Sequence, residues 1–575
     1  MKTLQLSAVT VPTVRKINFS PVVLVLAAIL LVLIIPPAAY LVASSLYTTN
    51  FDGSFDQFTF EFFADLLRNP YFLRSLMHTA VYSLGSACVG IVLGTVLAII
   101  VERTNTPGRK YAFLGAVISL AIPHVLYTVA WLMILGKSGP FNQMLKAIFG
   151  ATAPSFDVYS LPGMILIEGV GFVPLTFLMM SAVLRSTDAA FEEASMMSGA
   201  GPVTTFWKIT LRMGMPGVLA LLLLSFIRAF ESFEVPAIVG LAGNIEVLST
   251  SIYQSSRATT PPNFGQAGAY SVCLLAFLAC LLYFYGRLSR HAHRYQTITG
   301  KGYRPRVIDL GRGRYASMLV LIAILLFVIG LPLAIIVFVS FKPFFGSFNV
   351  ASLSRWTLKN YATVIGPGFF RSTLVNTLVL GTVTASIVVP FTALCAWLAV
   401  RRKPAAWVLD QLATAPLTFP SIVMGVAFLQ VFVNLPFPFY GTLTSVIVAS
   451  AVAYLPYGMR YAYAGVLQIH SDLEEASTAS GAPQMQTFLR IVLPLLSASM
   501  ISCWLFVFLL AVRAMSLPLL LVGPGSSLVA VSLFDLWQNG QVTELAAMGT
   551  VWVALMTCVS GCFYLVARRF RILTA

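Results

Sequence analysis

Charge is scarce in this sequence: 10% of its 575 residues are Asp, Glu, Lys or Arg, against 58% that are hydrophobic. A soluble globular chain carries about 25% charged residues, so the polar surface needed for a water-soluble globule of this size is missing. Cysteine is nearly as scarce. The seven (Cys88, Cys273, Cys280, Cys395, Cys503, Cys558 and Cys562) lie in or beside apolar stretches, with no CxxC pair and no spaced Cys/His set. That excludes a disulfide framework and a zinc site. The phosphate-cradling string GxxxxGK[ST] is missing too, because Trp131 stands where Gly136-Lys137-Ser138 would need an upstream glycine. No span carries a nucleophile–base set or a carboxylate pair, so the chain reads as a non-enzyme. Of the five histidines (His78, His124, His291, His293 and His470), only His470 has a carboxylate close by in sequence, Asp472, and no metal site is expected.

What is present is apolar length. A membrane-spanning helix needs roughly 20 mostly apolar residues, and twelve stretches qualify: 21–46, 79–101, 111–135, 161–184, 213–241, 266–286, 316–340, 374–400, 406–433, 442–468, 496–522 and 544–567. The mean hydropathy of +0.87 agrees with a bilayer protein. The net charge of +16 does not point to nucleic acid, because Lys and Arg gather at the ends of the apolar runs. With an inside N-terminus, 24 of the 36 Lys and Arg fall in inner segments, including Arg15, Lys16, Arg103, Arg401 and Arg568. The positive-inside rule then puts both termini in the cytoplasm.

The chain also repeats itself. Glu-Glu-Ala-Ser occurs at 192–195 and again at 474–477, an offset of 282. At that offset Gly199 meets Gly481, Thr205 meets Thr487, Ile209 meets Ile491, Pro174 meets Pro456 and Pro236 meets Pro518. At slightly larger offsets His78-Thr79 meets Asn376-Thr377 and Pro123 meets Pro420. Each half holds six spans, and an even number makes both halves enter the membrane in the same direction. The expected architecture is an all-α membrane protein of twelve transmembrane helices in two parallel six-helix repeats. Residues 1–286 form the first half, 316–575 the second, and the basic, Gly- and Pro-bearing stretch 287–315 a cytoplasmic linker, read as a solvated positive-inside loop with binding of anionic lipid headgroups as the alternative.

Each half carries one long polar segment between its fourth and fifth spans, 185–212 and 469–495. Each opens with acidic residues (Asp188, Glu192, Glu193; Asp472, Glu474, Glu475), then breaks at small residues around Gly199 or Gly481, then turns basic and apolar. Acidic residues favour a helix start and glycine a helix end, so helix–tight turn–helix is expected on the cytoplasmic face. The segment resembles the "EAA" loop of binding-protein-dependent ABC importer permeases: E-A-A, three residues, G, nine residues, I-x-L-P. The second copy has Glu475-Ala476-Ser477, Gly481, Ile491, Leu493 and Pro494; the first has Glu193-Ala194-Ser195, Gly199, Ile209 and Leu211, with Arg212 in place of the proline.

This resemblance implies the type I ABC importer permease fold and a coupling role for Glu193, Ala194, Gly199, Ile209, Glu475, Ala476, Gly481, Ile491 and Pro494. It also implies two copies of a cytoplasmic ABC ATPase carrying ATP and Mg, a periplasmic substrate-binding protein, and residence in the bacterial inner membrane. No cofactor is expected in this chain. Among fused permeases the sequence is most similar to ferric-iron importers, with aminoethylphosphonate, thiamine and polyamine permeases as alternatives. A twelve-helix secondary transporter is the other class, and it gives the duplicated loop nothing to dock.

Ionisable groups inside spans are functional candidates by default. Arg228, Glu231 and Glu234 share one broad face of the fifth span, and at the 282 offset Glu231 corresponds to Arg513 in the eleventh. These four are expected to line the translocation path. Glu231 and Arg513 can approach across the two halves, or Glu231 can pair locally with Arg228; both stay open in the sequence. Glu168 in the fourth span is a further path candidate.

Overall fold

The computed structural model describes residues 21–49, 55–150, 152, 154–185, 189–259, 262–292, 307–346, 356–366, 368–401 and 405–569. The N-terminal basic pair Arg15 and Lys16, Asp188, most of the basic linker and the chain end lie outside the described residues. All twelve apolar stretches are mainly helical. In a bilayer the helix alone satisfies every backbone polar group within one segment, which is why apolar length becomes helix here. The outer faces are apolar and open: Val25 is 60% exposed, Val32 70% and Leu319 68%. Lipid covers such a surface without penalty.

Among the described residues eight helices are long and apolar enough to cross a membrane, or up to ten if each of two bent pairs is one span. Twelve spans were expected, and the difference has identifiable sources. The stretch 111–135 divides into Lys110–Ala121 and His124–Leu135 at Pro123. Proline lacks the N–H and clashes with the preceding turn. Its counterpart 406–433 likewise restarts as Ser421–Val433 after Pro420. Leu443–Leu467 is long enough, but with Tyr454, Tyr457, Arg460, Tyr461 and Tyr463 in its second half it is not among the helices apolar enough to cross.

The duplication is visible in the helix bounds. Leu161–Arg185 and Leu443–Leu467 are both 25-residue helices, each with an internal proline, Pro174 and Pro456. It is visible again in single hydrogen bonds. The Leu248 amide donates to Thr79 Oγ1 at 3.0 Å, and the Val529 amide donates to Thr377 Oγ1 at 2.9 Å. His78 Nδ1 donates to the Glu246 carbonyl, and Asn376 Nδ2 to the Ser527 carbonyl.

The described chain forms two compact units. One comprises Met1–Ile35, Ser386–Pro416 and Tyr454–Trp504; within it Gly458 lies against Thr392, and Trp397 and Phe488 rings meet at 5.1 Å. The other comprises Pro36–Ala385, Leu417–Ala453 and Leu505–Ala575. Its Pro70–Arg103 and Leu161–Arg185 helices pack side by side over Gly85, Gly90 and Gly94. Small residues let membrane helices approach closely, and Thr176 Oγ1 bridges the seam by donating to the Gly90 carbonyl at 2.7 Å. Trp131, Phe177 and Trp552 fill the core of this unit. A two-stranded antiparallel ribbon, Tyr47–Thr49 with Phe55–Phe58, belongs to it as well.

Candidate functional site: twin loops and a broken-helix junction

Each polar loop is built by the same local chemistry. The helices Ala189–Met197 and Asp472–Ala479 carry acidic residues in their first turn and stop just before a glycine. Gly199 and Gly481 take φ of +83° and +84°, the left-handed conformation that a side chain resists. The amide of each glycine donates three residues back, to the Met196 and Thr478 carbonyls at 2.9 Å. The next amides, of Ala200 and Ala482, reach the Ser195 and Ser477 carbonyls at 3.2 Å. Both loops therefore end their first helix in a Schellman motif. Nothing lies within 4 Å of where a Cβ would stand on either glycine. Backbone conformation, and not crowding, is what requires glycine there.

Beyond the turn the chain returns as Pro202–Thr205 and Gln484–Thr487, each running into a one-turn π segment, Phe206–Thr210 and Phe488–Val492. Ile209 and Ile491 sit on these segments and are half-buried. The arms of each loop are tied by a hydroxyl pair, Ser195–Thr205 at 3.0 Å and Ser477–Thr487 at 2.8 Å. The halves then diverge where the sequences do. With Arg212, the first loop runs straight into the helix Leu211–Phe230; with Pro494, the second breaks after Leu495 and restarts at Ser497.

The adjacent glutamates of each loop have opposite fates. Glu193 and Glu475 are exposed, as are Ala194 and Ala476. Glu192 is buried and pairs with Arg103 at 3.1 Å; Glu474 is partly buried and pairs with Arg401 at 2.6 Å. Around the exposed glutamates stand matched apolar side chains, Phe191 with Leu473 and Trp207 with Leu489, all more than 45% exposed. Each loop thus presents an exposed carboxylate flanked by exposed apolar side chains.

The four ionisable path candidates lie at a second construction. The helix Leu211–Phe230 ends at Phe230, and the chain turns helical again at Glu234, running into a π turn at Pro236. In the other half, Ser497–Arg513 ends at Arg513 and Ser516–Leu521 resumes. The two breaks stand at equivalent positions. Glu231 caps the first break and pairs with Arg228 through a 2.9 Å Nη1–Oε1 contact. Arg513, its counterpart, is the last residue before the second break. The bond that joins the two breaks is one turn further on: Ser516 Oγ donates to Glu234 Oε1 at 2.9 Å. Ser516 and Glu234 are themselves 282 residues apart, so equivalent positions of the repeat meet directly.

Glu168 is 2% exposed, and His124 Nε2 donates to its Oε2 at 2.9 Å. No spacing rule finds this pair, because 44 residues and a proline break separate its members. His470 and Asp472, adjacent in sequence, do meet at 3.0 Å on the exposed loop. Among the described residues there is no group of three or more His, Cys, Asp or Glu side chains placed to hold a metal ion.

The model of the family described as "Binding-protein-dependent transport system inner membrane component" matches this chain twice, over residues 90–294 and 388–572. A protein of Haemophilus influenzae named as a ferric transport system permease is 28% identical over 80% of this chain and 71% of its own length. The ferric transport system permease protein of Actinobacillus pleuropneumoniae is 26% identical over 86% of this chain and 71% of its own. A Salmonella typhi protein named as a 2-aminoethylphosphonate transport system permease is 25% identical over 40% of this chain and 77% of its own.

Proposed function

We propose a function for a chain that belongs to the binding-protein-dependent transport system inner membrane component family: it passes ferric iron, or a ferric chelate, from a periplasmic binding protein to the cytoplasm. The chain is an ABC importer permease and a transport subunit. In our reading it sits in the bacterial inner membrane with both termini in the cytoplasm. Its halves, 1–286 and 316–575, each offer one coupling loop to one of two ATPase subunits, which carry ATP and Mg. The observation that carries this reading is the repeated loop, with its left-handed glycine and its exposed Glu193 or Glu475. The substrate rests on the two ferric permeases to which the chain is similar along most of its length.

Ion translocation would run past the broken-helix junction, where Glu234, Ser516, Arg228, Glu231 and Arg513 supply polar groups inside otherwise apolar spans. Discontinuous spans expose backbone ends that can replace water around a passing solute. The test is reconstitution of the permease–ATPase complex in vesicles with its binding protein, followed by ATP-dependent accumulation of radiolabelled ferric iron. Accumulation of 2-aminoethylphosphonate, with none of iron, would favour the relative that matches 40% of the chain. Uptake that persists without any ATPase would refute the importer reading.

A further inference from the structure

Two ion pairs, one buried and one partly buried, stand behind the loops, and the proposal that the loops dock on an ATPase leaves them unused. Arg103 is the last residue of Pro70–Arg103 and is 3% exposed. Its Nη2 donates to the Leu184 carbonyl at 3.0 Å, at the end of Leu161–Arg185, and meets Glu192 Oε1 at 3.1 Å. Thr210 Oγ1, from the loop's returning arm, donates to that same Oε1 at 2.8 Å. In the second half Arg401 follows directly on Phe369–Val400. Its Nη2 donates to the Ile469 carbonyl at 2.9 Å and its Nε to Glu474 Oε1 at 2.8 Å. Trp397 Nε1 completes the site by donating to Glu474 Oε2 at 2.9 Å.

The two constructions share one plan. An arginine at the end of a half's second long helix grips the carbonyl end of the fourth helix with one contact and the coupling helix with another. A buried ion pair is a poor way to gain stability, since well-packed apolar side chains do as well or better. What it gives is a fixed geometry: Arg401 reaches Glu474 Oε1 with both Nε and Nη2, at 2.8 and 2.6 Å, whereas Arg103 uses the single Nη2 for both Glu192 and the Leu184 carbonyl. The glutamate that makes this contact immediately precedes the exposed one, so a force on the docking face acts one residue from the anchor.

Resting on the docking role of the loops, we propose that Arg103–Glu192 and Arg401–Glu474 are the struts that carry loop movement into the Pro70–Arg103 and Phe369–Val400 helices. Glu192, Glu474, Arg103 and Arg401 are then positioning residues for coupling, distinct from the exposed Glu193 and Glu475 of the docking face.

The test uses the full chain with its ATPase and binding protein in vesicles, comparing wild type, the Glu192→Gln/Glu474→Gln variant and the reversed pair Arg401→Glu/Glu474→Arg. Each is checked first for monodisperse elution and for ATPase retained on the tagged permease. The readout is ferric iron delivered per ATP hydrolysed. Expected for the glutamine variant is ATPase retention within about twofold of wild type and a yield per ATP lower by about tenfold, within the range for residues along a coupling route. Reversal should restore more of that yield than Arg401→Glu alone. An unchanged yield per ATP overturns the proposal. So does loss of ATPase retention in step with uptake, because the pairs would then only shape the docking face. If wild type itself retains no ATPase, the docking reading fails first, and the two failures are told apart.

Discussion

Replacing Gly94 by alanine tests a close helix approach, that of Pro70–Arg103 to Leu161–Arg185. A Cβ at Gly94 would run into Thr176 Oγ1 and lie 2.8 Å from Thr176 Cβ and 2.9 Å from the Phe177 amide nitrogen. Neither neighbour can give way. Thr176 is β-branched and stiff at χ1, and its hydroxyl is held by the Gly90 carbonyl at 2.7 Å. The two helices must therefore part by several tenths of an ångström, which breaks that bond. Overpacking and one lost hydrogen bond together cost roughly 2–4 kcal/mol, or roughly 30- to 700-fold in the folded population.

The other half supplies its own control. There the small residue has changed sides: Gly458 is the counterpart of Thr176, and its Cβ would meet Thr392 Oγ1, the counterpart of Gly94, at 2.5 Å. One glycine and one threonine fill each crossing, in opposite order. The double variant Gly94→Thr/Thr176→Gly copies the second arrangement into the first, and it should recover most of the loss. The assay is thermal unfolding of the detergent-purified permease, followed by monodisperse elution after heating. A Gly94→Ala protein as heat-resistant as wild type would refute the reasoning, as would a double variant no better than the single.

Gly481→Leu should impair coupled uptake far more than Gly481→Asn, since asparagine tolerates φ near +84° and a left-handed leucine costs about 1–2 kcal/mol; equal uptake by the two variants would show that backbone conformation is not the reason for glycine. Ser516→Ala should lower thermal stability by about 1 kcal/mol through the lost bond to Glu234, and Ser516→Glu by more, because it opposes two carboxylates; a Ser516→Glu permease that melts with wild type would place the two breaks apart. At the end of the linker, the Gly311 amide and the Asn105 side chain donate to Asp309 and hold its carboxyl below the usual aspartate range. The stabilisation is therefore present at neutral pH and lost as pH falls through that depressed value. Hydrogen exchange at the Gly311 amide should quicken in Asp309→Ala at neutral pH, and in wild type only on strong acidification.

How much of this was legible in the sequence depends on the reach of each signal. The loops were readable because their determinants are local: an acidic start, a glycine, and a return within 30 residues, repeated at one offset. The helix breaks were only half readable. Pro123 and Pro420 announce two of them, but the breaks after Phe230 and Arg513 have no proline at the point of interruption. Of the ionisable groups around the first break, Arg228 and Glu231 pair with each other, and Glu234 bonds to a partner distant in sequence, Ser516. The 282 offset suggested that Glu231 and Arg513 meet across the halves, with a local Arg228–Glu231 pair as the competing arrangement. Arg228, three residues away on the same helix, takes Glu231 at 2.9 Å, because a partner one turn away needs no movement of another helix to reach.

That competition also explains what joins the repeats. With Glu231 held by Arg228, the next carboxylate, Glu234, lies past the end of the helix, where the backbone has turned and the side chain can leave its own face. Its counterpart by the 282 offset is Ser516, a small donor at the start of the resumed helix. Two glutamates there would repel, and an arginine would need room that two closely approaching breaks do not have. An acid in one half and a hydroxyl in the other form one neutral-to-charged hydrogen bond across the repeat. A hydrogen bond to a carboxylate is stronger than one between neutral groups, and a hydroxyl makes it with the least bulk. A fused permease can make the two members of such a pair different. Two identical subunits related by an exact twofold could not, since each would present the same residue to its own image.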